Sequence, residues 1–358
     1  MRNVEPVAKP SRRLSAPVIS TITVVLLVGV GLLVWWPDSP DRIGDAAPDG
    51  LVVRAGQRED LTHLSEGGHQ PAHLLYRGCQ DVGCDWRVVF RDGRQYLLHH
   101  VANESVAEEL TGLSPNGRIV AVPTDAGMVF RDLVAGTIQP AGPLAAYQGG
   151  DNRTRRSWSY DGRWLVHYNS TGVGIMVDTV TARAHRLPKS LGDITIAGVM
   201  GDGRLITVAP HTSSSRDIQV SVSAVADVDH ANYRIVDLSG VIRPREALTT
   251  GRDSEVESYT SPDGTRLVVA VRQAGDEPGT PIVAVLVIDL ASGTVVKRHD
   301  LEPATTAVCG WDATGVQVAT EQSATAHTVV IRWLDPRTGV ERDRVTVRGG
   351  TRPLSVHC

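Results

Sequence analysis

Residues 261–269 read S-P-D-G-T-R-L-V-V, a tight polar turn followed at once by an apolar run. Asp-Gly favours a hairpin turn because both residues tolerate the positive φ that matches the twist of the flanking strands. The pattern recurs as S-P-N-G-R-I-V-A-V at 114–122, S-Y-D-G-R-W-L-V at 159–166 and G-D-G-R-L-I-T-V at 201–208, with a degenerate copy at 311–318. The turn glycines lie 45, 41, 61 and 51 residues apart, which indicates a repeat.

A second motif follows the first at a regular interval. An aspartate stands four residues before a small residue in four places: Asp132 and Gly136, Asp178 and Ala182, Asp289 and Gly293, Asp335 and Gly339. Such an aspartate caps a turn, and a small residue suits the left-handed position that ends it. Each repeat therefore predicts four short strands. No long window after residue 37 has helical periodicity, so the chain from there on is predicted to be all-β.

Repeats of roughly this length that carry S-P-D-G and then D-x-x-x-G resemble the blades of TolB-like and WD-repeat β-propellers. The resemblance covers about residues 48–358 and implies a six-bladed β-propeller, with seven blades as the alternative. Residues 73–98 form the first unit, and 352–358 are predicted to supply its innermost strand and so close the ring. For residues 51–53 the sequence allows two roles, an outer strand or a link. The α/β domain that precedes the TolB propeller and the G-x-S-x-G elbow of propeller peptidases have no counterpart here.

The N-terminal region predicts a membrane anchor. Residues 16–36 are 21 consecutive residues without a charge, long enough for a helix to span a bilayer core of roughly 30 Å. Four basic residues and one acidic residue precede them, so the positive-inside tendency keeps the tail in the cytoplasm and exports the rest. The predicted organisation is a cytoplasmic tail (1–15), a transmembrane helix (16–36), a linker (37–50) and a propeller (51–358). A cleaved signal peptide and a buried soluble helix are the alternatives.

The overall charge limits the classes of partner. The 358 residues carry a formal net charge of −4, far from the basic balance of a nucleic-acid binder. Lysine occurs only at positions 9, 189 and 297, and such reliance on arginine is typical of a high-GC bacterial genome. The sequence therefore predicts no nucleic-acid partner. It contains no recognisable catalytic set, metal site or cofactor motif, so none is assigned.

The four cysteines all lie on the predicted exported side, where disulfides persist. Cys79 and Cys84 flank a four-residue loop, and Cys309 and Cys358 lie 49 residues apart, one repeat, on what should be equivalent positions of neighbouring blades. We predict the bonds Cys79–Cys84 and Cys309–Cys358. Free buried thiols are the alternative, and a four-thiolate zinc site is disfavoured because the spacings do not repeat.

One basic cluster stands out in the acidic exterior. Arg153, Arg155 and Arg156, followed by Trp158, are predicted to lie in or beside a loop between two blades. Guanidinium groups bind carboxylates and other anions through charge-assisted hydrogen bonds. The cluster is therefore a candidate binding site for an anionic polymer or a carboxylate-rich partner. The alternative is a solvated loop with no binding role. The histidines His63, His69 and His73, among glycines and a proline, predict a solvated loop rather than a metal site.

Together these patterns predict a non-catalytic, extracytoplasmic binding module, single-pass and membrane-tethered, that presents a loop face to a protein or cell-envelope ligand. The alternative is an exported glycan-active hydrolase or lyase that uses the propeller channel. A third hypothesis is sensing through the short cytoplasmic tail.

Overall fold

The computed structural model describes most of the chain after residue 49. The described residues are 50–54, 61–80, 83–98, 110–143, 154–169, 174–188, 194–211, 216–248, 256–275, 280–302, 304–323, 328–348 and 355–357. The predicted tail, transmembrane helix and most of the linker lie outside them. Within these ranges, no helix is long and apolar enough to cross a membrane.

Six β-sheets, which we call blades, make up the described part of the chain. Blade 1 contains β2 (Ala72–Gln80), β3 (Gly83–Phe90), β4 (Gln95–Leu97) and β26 (Ser355–His357); blade 2 contains β5 (Gly112–Leu113), β6 (Ile119–Thr124), β7 (Gly127–Asp132) and β8 (Thr137–Pro140); blade 3 contains β9 (Thr154–Trp158), β10 (Trp164–Asn169), β11 (Gly174–Asp178) and β12 (Arg183–Arg186). Blade 4 contains β13 (Thr195–Val199), β14 (Leu205–Pro210), β15 (Asp217–Ser223) and β16 (Arg234–Asp237); blade 5 contains β17 (Glu246–Ala247), β18 (Ser258–Thr260), β19 (Arg266–Gln273), β20 (Ile282–Asp289) and β21 (Thr294–Asp300); blade 6 contains β22 (Thr305–Trp311), β23 (Val316–Ser323), β24 (Thr328–Leu334), β25 (Glu341–Arg348) and β1 (Leu51–Arg54).

The blades form a closed ring, as the repeats predict. Six apolar clusters occur among the described residues, each shared by two neighbouring blades, and one of them joins blade 6 to blade 1. Successive strand residues point to opposite sides of a sheet, so Leu75 packs against blade 2 while Leu74 and Tyr76 pack against blade 6. The architecture is therefore a six-bladed β-propeller, and the seven-bladed alternative is wrong.

The two ends of the described chain meet at the seam between blades 1 and 6. The C-terminal strand β26 pairs antiparallel with β2 and supplies the innermost strand of blade 1, which confirms the predicted closure. The strand β1 adds to the outer edge of blade 6, parallel to β25. Residues 51–53 are thus an outer strand, and closure removes inner edges that would otherwise be open to pairing with other chains.

The repeated turns are built by their own side chains. In the turn of blade 3, Ser159 Oγ donates to Asp161 Oδ1 (2.6 Å), and the Trp164 N–H donates to Ser159 Oγ (2.8 Å). The equivalent serine donates to Asn116 in blade 2 (2.7 Å) and to Asp263 in blade 5 (2.5 Å). These hydrogen bonds show that Asn116, Asp161 and Asp263 help to build the turns in which they lie.

The D-x-x-x-G turns are also confirmed. The N–H groups of Gly136, Gly293 and Gly339 donate to the carbonyl oxygen of the aspartate four residues earlier, at 2.9, 2.8 and 2.7 Å. All three glycines have φ near +70°, and Ala182 adopts the same left-handed conformation at φ 55°. Glycine suits these positions because it has no Cβ to clash there.

The alternation of strand direction sorts the connections onto two faces. On one face, which we call the turn face, the first strand of a blade joins the second, and the third joins the fourth. These links usually contain four to six residues. The exception is the link between the third and fourth strands of blade 4, which contains a 3₁₀ helix at Val225–His230. On the other, the loop face, the links range from two residues (125–126) to fourteen (98–111). Variable connections are thus concentrated on one face.

Replacing Gly117 with alanine should destabilise the fold by about 2 kcal/mol or more, because φ is +70° and a Cβ would overlap the carbonyl oxygen of Ala72. Gly142 is the matched control: its φ is +99°, but the space around its Cβ position is open. Gly142→Ala should cost about 1 kcal/mol, the backbone strain alone. Urea unfolding of both variants checks the difference, and equal losses would contradict the steric argument.

Candidate ligand-binding site at the central channel

The innermost strands β5, β9, β13, β18, β22 and β26 surround the axis of the ring. Each pairs within its own sheet on one side only, and β13 contacts both β9 and β18, the innermost strands of the neighbouring blades. The approach is close: a Cβ on Gly198 of β13 would overlap Thr260 Oγ1 of β18. The innermost strands of blades 4 and 5 are therefore in direct contact beside the axis.

The predicted arginine loop is largely a strand. Residues 154–158 form β9, the innermost strand of blade 3, so Arg155, Arg156 and Trp158 stand on a rigid sheet edge; Arg153 lies outside the described residues. Arg155 and Arg156 are consecutive and so face opposite sides of the sheet. The predicted loop was therefore wrong for residues 154–158, and the alternation along the strand separates Arg155 from Arg156. Ligand binding by these residues stays a prediction.

Arg156 and Trp158 share one side of β9 and lie over Gly112 of β5. The position that a Cβ of residue 112 would take is 2.7 Å from Arg156 Nη1 and 3.5 Å from Trp158 Nε1. Both side chains keep partial exposure. Burial lowers the pKa of Arg156 to about 10, with the nearby Tyr259 opposing the shift, so the guanidinium stays protonated at neutral pH.

His167 is the cross-strand partner of Arg156 and is buried behind it. Burial, and then the charge of the neighbouring Arg156, lower the pKa of His167 to about 3. The imidazole is therefore neutral at physiological pH, and Arg156 supplies the positive charge of this pair.

Arg155 faces the other way, towards blade 4. Its cross-strand partner Tyr168 packs in the cluster between blades 3 and 4, where the phenol oxygen accepts a hydrogen bond from the Ile196 N–H (3.0 Å). Burial raises the pKa of Tyr168, and Arg155 opposes this effect. Arg155 and Arg156 thus belong to different environments.

An ion pair of blade 5 is hydrogen-bonded to the innermost strand of blade 6. Glu257 pairs with Arg272, and its Oε1 accepts a hydrogen bond from the Val308 N–H of β22 (2.9 Å). Arg272 also donates to the Thr280 carbonyl oxygen (2.8 Å). Burial raises the pKa of Glu257 although Arg272 opposes the shift, and the side chain is still 21% exposed. The same surroundings raise the pKa of Tyr259, so that its phenol is neutral.

A second polar group lies at the turn face of the seam. The carboxylate of Asp312 accepts hydrogen bonds from the indole N–H of Trp333 and from the Gln317 amide, both at 2.8 Å. The His73 ring stacks on Trp333, with the ring centroids 4.7 Å apart. Burial, and then the charge of Arg91, lower the pKa of His73 to about 4, while Asp312 opposes the shift.

His73 corrects the prediction of a solvated histidine loop. It lies in β2 with a 9% exposed side chain, whereas His69 stacks on Phe90 with centroids 5.5 Å apart. Among the residues that the structure describes, no three His, Cys, Asp or Glu side chains are grouped so that they could hold a metal ion.

The predicted cysteine pairings remain predictions. Cys79 and Cys84 are directly opposed in the register of β2 and β3, a separation that a disulfide can bridge. Cys309 lies at an irregularity of β22, between the paired residues Val308 and Gly310. Neither Cys84 nor Cys309 is a free thiol in the described part of the chain. The Cys79 side chain and all of Cys358 fall outside the described residues.

Sequence patterns did not predict the polar groups Glu257, Tyr259 and Arg272. For Arg156 and Trp158 one signal was present, since the alternation R-S-W at 156–158 is that of a strand rather than a loop. The partners of Glu257 could not be found this way, because Val308 is 51 residues further along the chain.

Comparison with known proteins adds little to this description. No protein-family model matches the chain, and no curated protein matches it. Among solved structures, the chain is similar to the β-propeller domain of Cps50 (Swd1) from Myceliophteria thermophila, with 12% identity and a TM-score of 0.36 over 66% of this chain and 72% of that one. The fold assignment rests on the six sheets and their shared cores rather than on this likeness.

Proposed function

We propose that the protein is a non-catalytic, membrane-tethered interaction module that binds a protein or cell-envelope ligand through the loop face of its propeller. The supporting observation is the asymmetry of the two faces. Turn-face links are short and mostly fixed by side-chain hydrogen bonds, whereas loop-face links range from two to fourteen residues, as between β6 and β7 and between β4 and β5. Binding residues are disproportionately found on variable loops that a rigid scaffold positions.

The tether and the extracytoplasmic location are proposed from the sequence. The uncharged residues 16–36 and the basic tail before them favour an uncleaved anchor with the propeller outside the cytoplasm. The predicted disulfides agree with that location, because oxidising compartments preserve them.

The environment of Glu257 gives little support to the alternative of a glycan-active enzyme. Glycoside hydrolases need carboxyl groups that donate protons or attack the sugar. In Glu257, one carboxylate oxygen accepts the Val308 N–H and the other pairs with Arg272. This is the arrangement of a structural ion pair rather than of a proton donor.

Photo-crosslinking from two matched alanines tests the loop-face proposal. Ala126 lies in the loop-face link between β6 and β7, Ala135 lies in the turn-face link between β7 and β8, and both are exposed. With a photoreactive amino acid at each position of the full chain in living cells, residue 126 should give a discrete protein or envelope-polymer adduct. Residue 135 should give none. Equal adducts from both positions, or adducts from 135 alone, would contradict the choice of face.

Membrane fractionation tests the tether separately. The full chain should sediment with membranes and resist extraction by high salt, and a variant lacking residues 1–36 should be soluble. Protease added outside intact spheroplasts should degrade the propeller of the full chain. A full chain that stays in the soluble fraction, or that is protected from the protease, would overturn the proposed location.

A further inference from the structure

A half-open cleft lies between the outer strands of blades 4 and 5. Its walls include Val220, Val222 and Val236 of blade 4 and Ile288 of blade 5, and its volume is about 210 Å³. An apolar cavity of about 150 Å³ is already large enough to bind benzene. The cleft can therefore take one leucine or phenylalanine side chain from another molecule.

Exposed apolar side chains are concentrated beside this cleft. Nine large apolar side chains of the described residues are exposed, and four of them lie on or next to the outer strands of blades 4 and 5: Val222, Tyr233, Ile235 and Val296. Val222 itself lines the cleft. Grouped exposed apolar residues are typical of a surface that contacts another protein.

The outermost strand of blade 4, β16, has an open edge next to the cleft. The Leu238 N–H donates to the Arg216 carbonyl oxygen (2.9 Å), so the alternation of an antiparallel pair turns the backbone groups of Val236 and Arg234 towards β15 as well. The backbone groups of Ile235 therefore point away from the sheet. Within the described ranges, no strand pairs with this edge.

Other outer edges of this propeller carry an extended segment. On blade 6, β1 pairs with β25. On blade 1, the Leu64 N–H donates to the Leu97 carbonyl oxygen (2.9 Å), and the Leu97 N–H donates to the Thr62 carbonyl oxygen (3.0 Å). Both added segments belong to this chain. The edge of β16 has the same backbone chemistry, so an extended segment of another protein fits it.

The charge at the rim of the cleft favours an acidic segment. Arg234 lines the cleft, and its Nη1 donates to the carbonyl oxygens of Leu290 (3.0 Å) and Ala291, which hold the guanidinium in place. These two bonds leave the Nε and Nη2 donors unused, and no carboxylate among the described residues pairs with them. An aspartate or glutamate of a partner is therefore the complementary side chain.

We propose that the edge of β16 and the cleft beside it bind an extended segment of a partner protein, with one leucine or phenylalanine side chain in the cleft and an acidic residue beside Arg234. This surface lies on the outer rim of the ring rather than on the loop face, and it needs no membrane tether. Failure of the loop-face proposal therefore leaves this one standing, and the reverse also holds.

Fluorescein-labelled peptides test the surface directly. The anisotropy of the peptide D-T-L-T-D should rise saturably when the full chain in detergent micelles is added, and empty micelles are the blank. The peptide D-T-A-T-D should bind about tenfold more weakly, because alanine leaves the cleft unfilled. The peptide K-T-L-T-K should bind about threefold more weakly, because Arg234 repels lysine, and high salt should reduce this difference.

Variants locate the binding. Val222 is 40% exposed, so Val222→Phe can extend into the cleft without entering the core, and it should weaken binding of D-T-L-T-D about tenfold. Ile138→Phe is the matched control on the outermost strand of blade 2 and should bind as the parent does. Arg234→Glu should reverse the preference in favour of K-T-L-T-K, a gain that misfolding cannot produce.

Three results would overturn the proposal. They are equal binding of D-T-L-T-D and D-T-A-T-D by the parent, an equal loss in Val222→Phe and Ile138→Phe, and self-association of the chain that Val222→Phe abolishes. Sedimentation of the chain in micelles measures the last of these, which would show that a second copy rather than another protein occupies the edge.

Discussion

Replacing Arg298 with leucine is expected to lower the free energy of unfolding by about 3–5 kcal/mol, the cost of leaving a buried charge without its partner. Arg298 and Glu246 have side chains only 13% and 10% exposed, and two guanidinium nitrogens donate to the two carboxylate oxygens at 2.8 and 2.9 Å. Arg298 also donates to the Val241 carbonyl oxygen at 2.7 Å. Arg298 therefore holds both β17 and the connection between blades 4 and 5 against β21.

The matched control for this variant is Arg243→Ala. Arg243 pairs with Asp300 at 2.8 Å, but the two side chains are 59% and 53% exposed, so its loss should cost about 1 kcal/mol or less. The double variant Arg298→Leu/Glu246→Leu should recover part of the loss, since it removes the stranded carboxylate. Urea unfolding followed by tryptophan fluorescence measures all three. An Arg298→Leu loss no larger than that of Arg243→Ala would contradict the argument.

Acidification from pH 7 to pH 4 is expected to destabilise the propeller through two buried histidines. Their pKa values are about 4 for His73 and about 3 for His167, against 6.5 when exposed, and burial is the main cause in both. As the pH falls, the histidines of the unfolded chain take up protons before those of the folded chain do. The contribution of each neutral buried histidine to the free energy of unfolding is therefore complete above pH 6.5. This contribution falls as the pH drops through 6.5 towards 4 for His73 and 3 for His167. Each should contribute a loss on the order of 3 kcal/mol at pH 4.

The variant His73→Phe isolates one of these contributions. Phenylalanine can preserve the stacking on Trp333 but cannot take up a proton. The difference in unfolding free energy between pH 7 and pH 4 should therefore be smaller than in the parent, by on the order of 3 kcal/mol. His185→Gln, at an exposed position of β12, is the control for the removal of a histidine from the surface. If His73→Phe and the parent lost the same stability on acidification, the proposed role of His73 would be wrong.

The turns show why so much of this fold is predictable from the sequence. Ser159, Asp161 and Trp164 complete their hydrogen bonds within six residues, so the motif that identifies the turn also contains its partners. The closing strand was predictable for a related reason, because residues 352–358 match the inner-strand register of another repeat. Where a repeat departs from the pattern, the sequence did not predict the local structure. Examples are the 3₁₀ helix of blade 4 and the interrupted inner strand of blade 5.

The candidate site was only partly predictable. Arg156 and Trp158 were selected for their charge and aromatic character, but they were assigned to a loop together with Arg155. The pairing of β9 with β10 separates Arg155 from Arg156, and this register depends on the strand beside it. The buried role of His73 also could not be predicted, because Trp333 lies on the other side of the ring seam.

The amino-acid sequence by itself determined the repeat, its hairpin turns and the all-β class, because these depend on hydrogen bonds and alternation within a few residues, whereas the sheets of the structure decided between six and seven blades. Only the tertiary structure decided which side chains meet. Gly112 lies against Arg156 of the next blade, Glu257 accepts from Val308 of the next blade, and Arg298 pairs with Glu246 of another strand of blade 5. These contacts join residues 44 to 52 positions apart, and the packing of strands and of neighbouring blades brings them together where no local pattern records them.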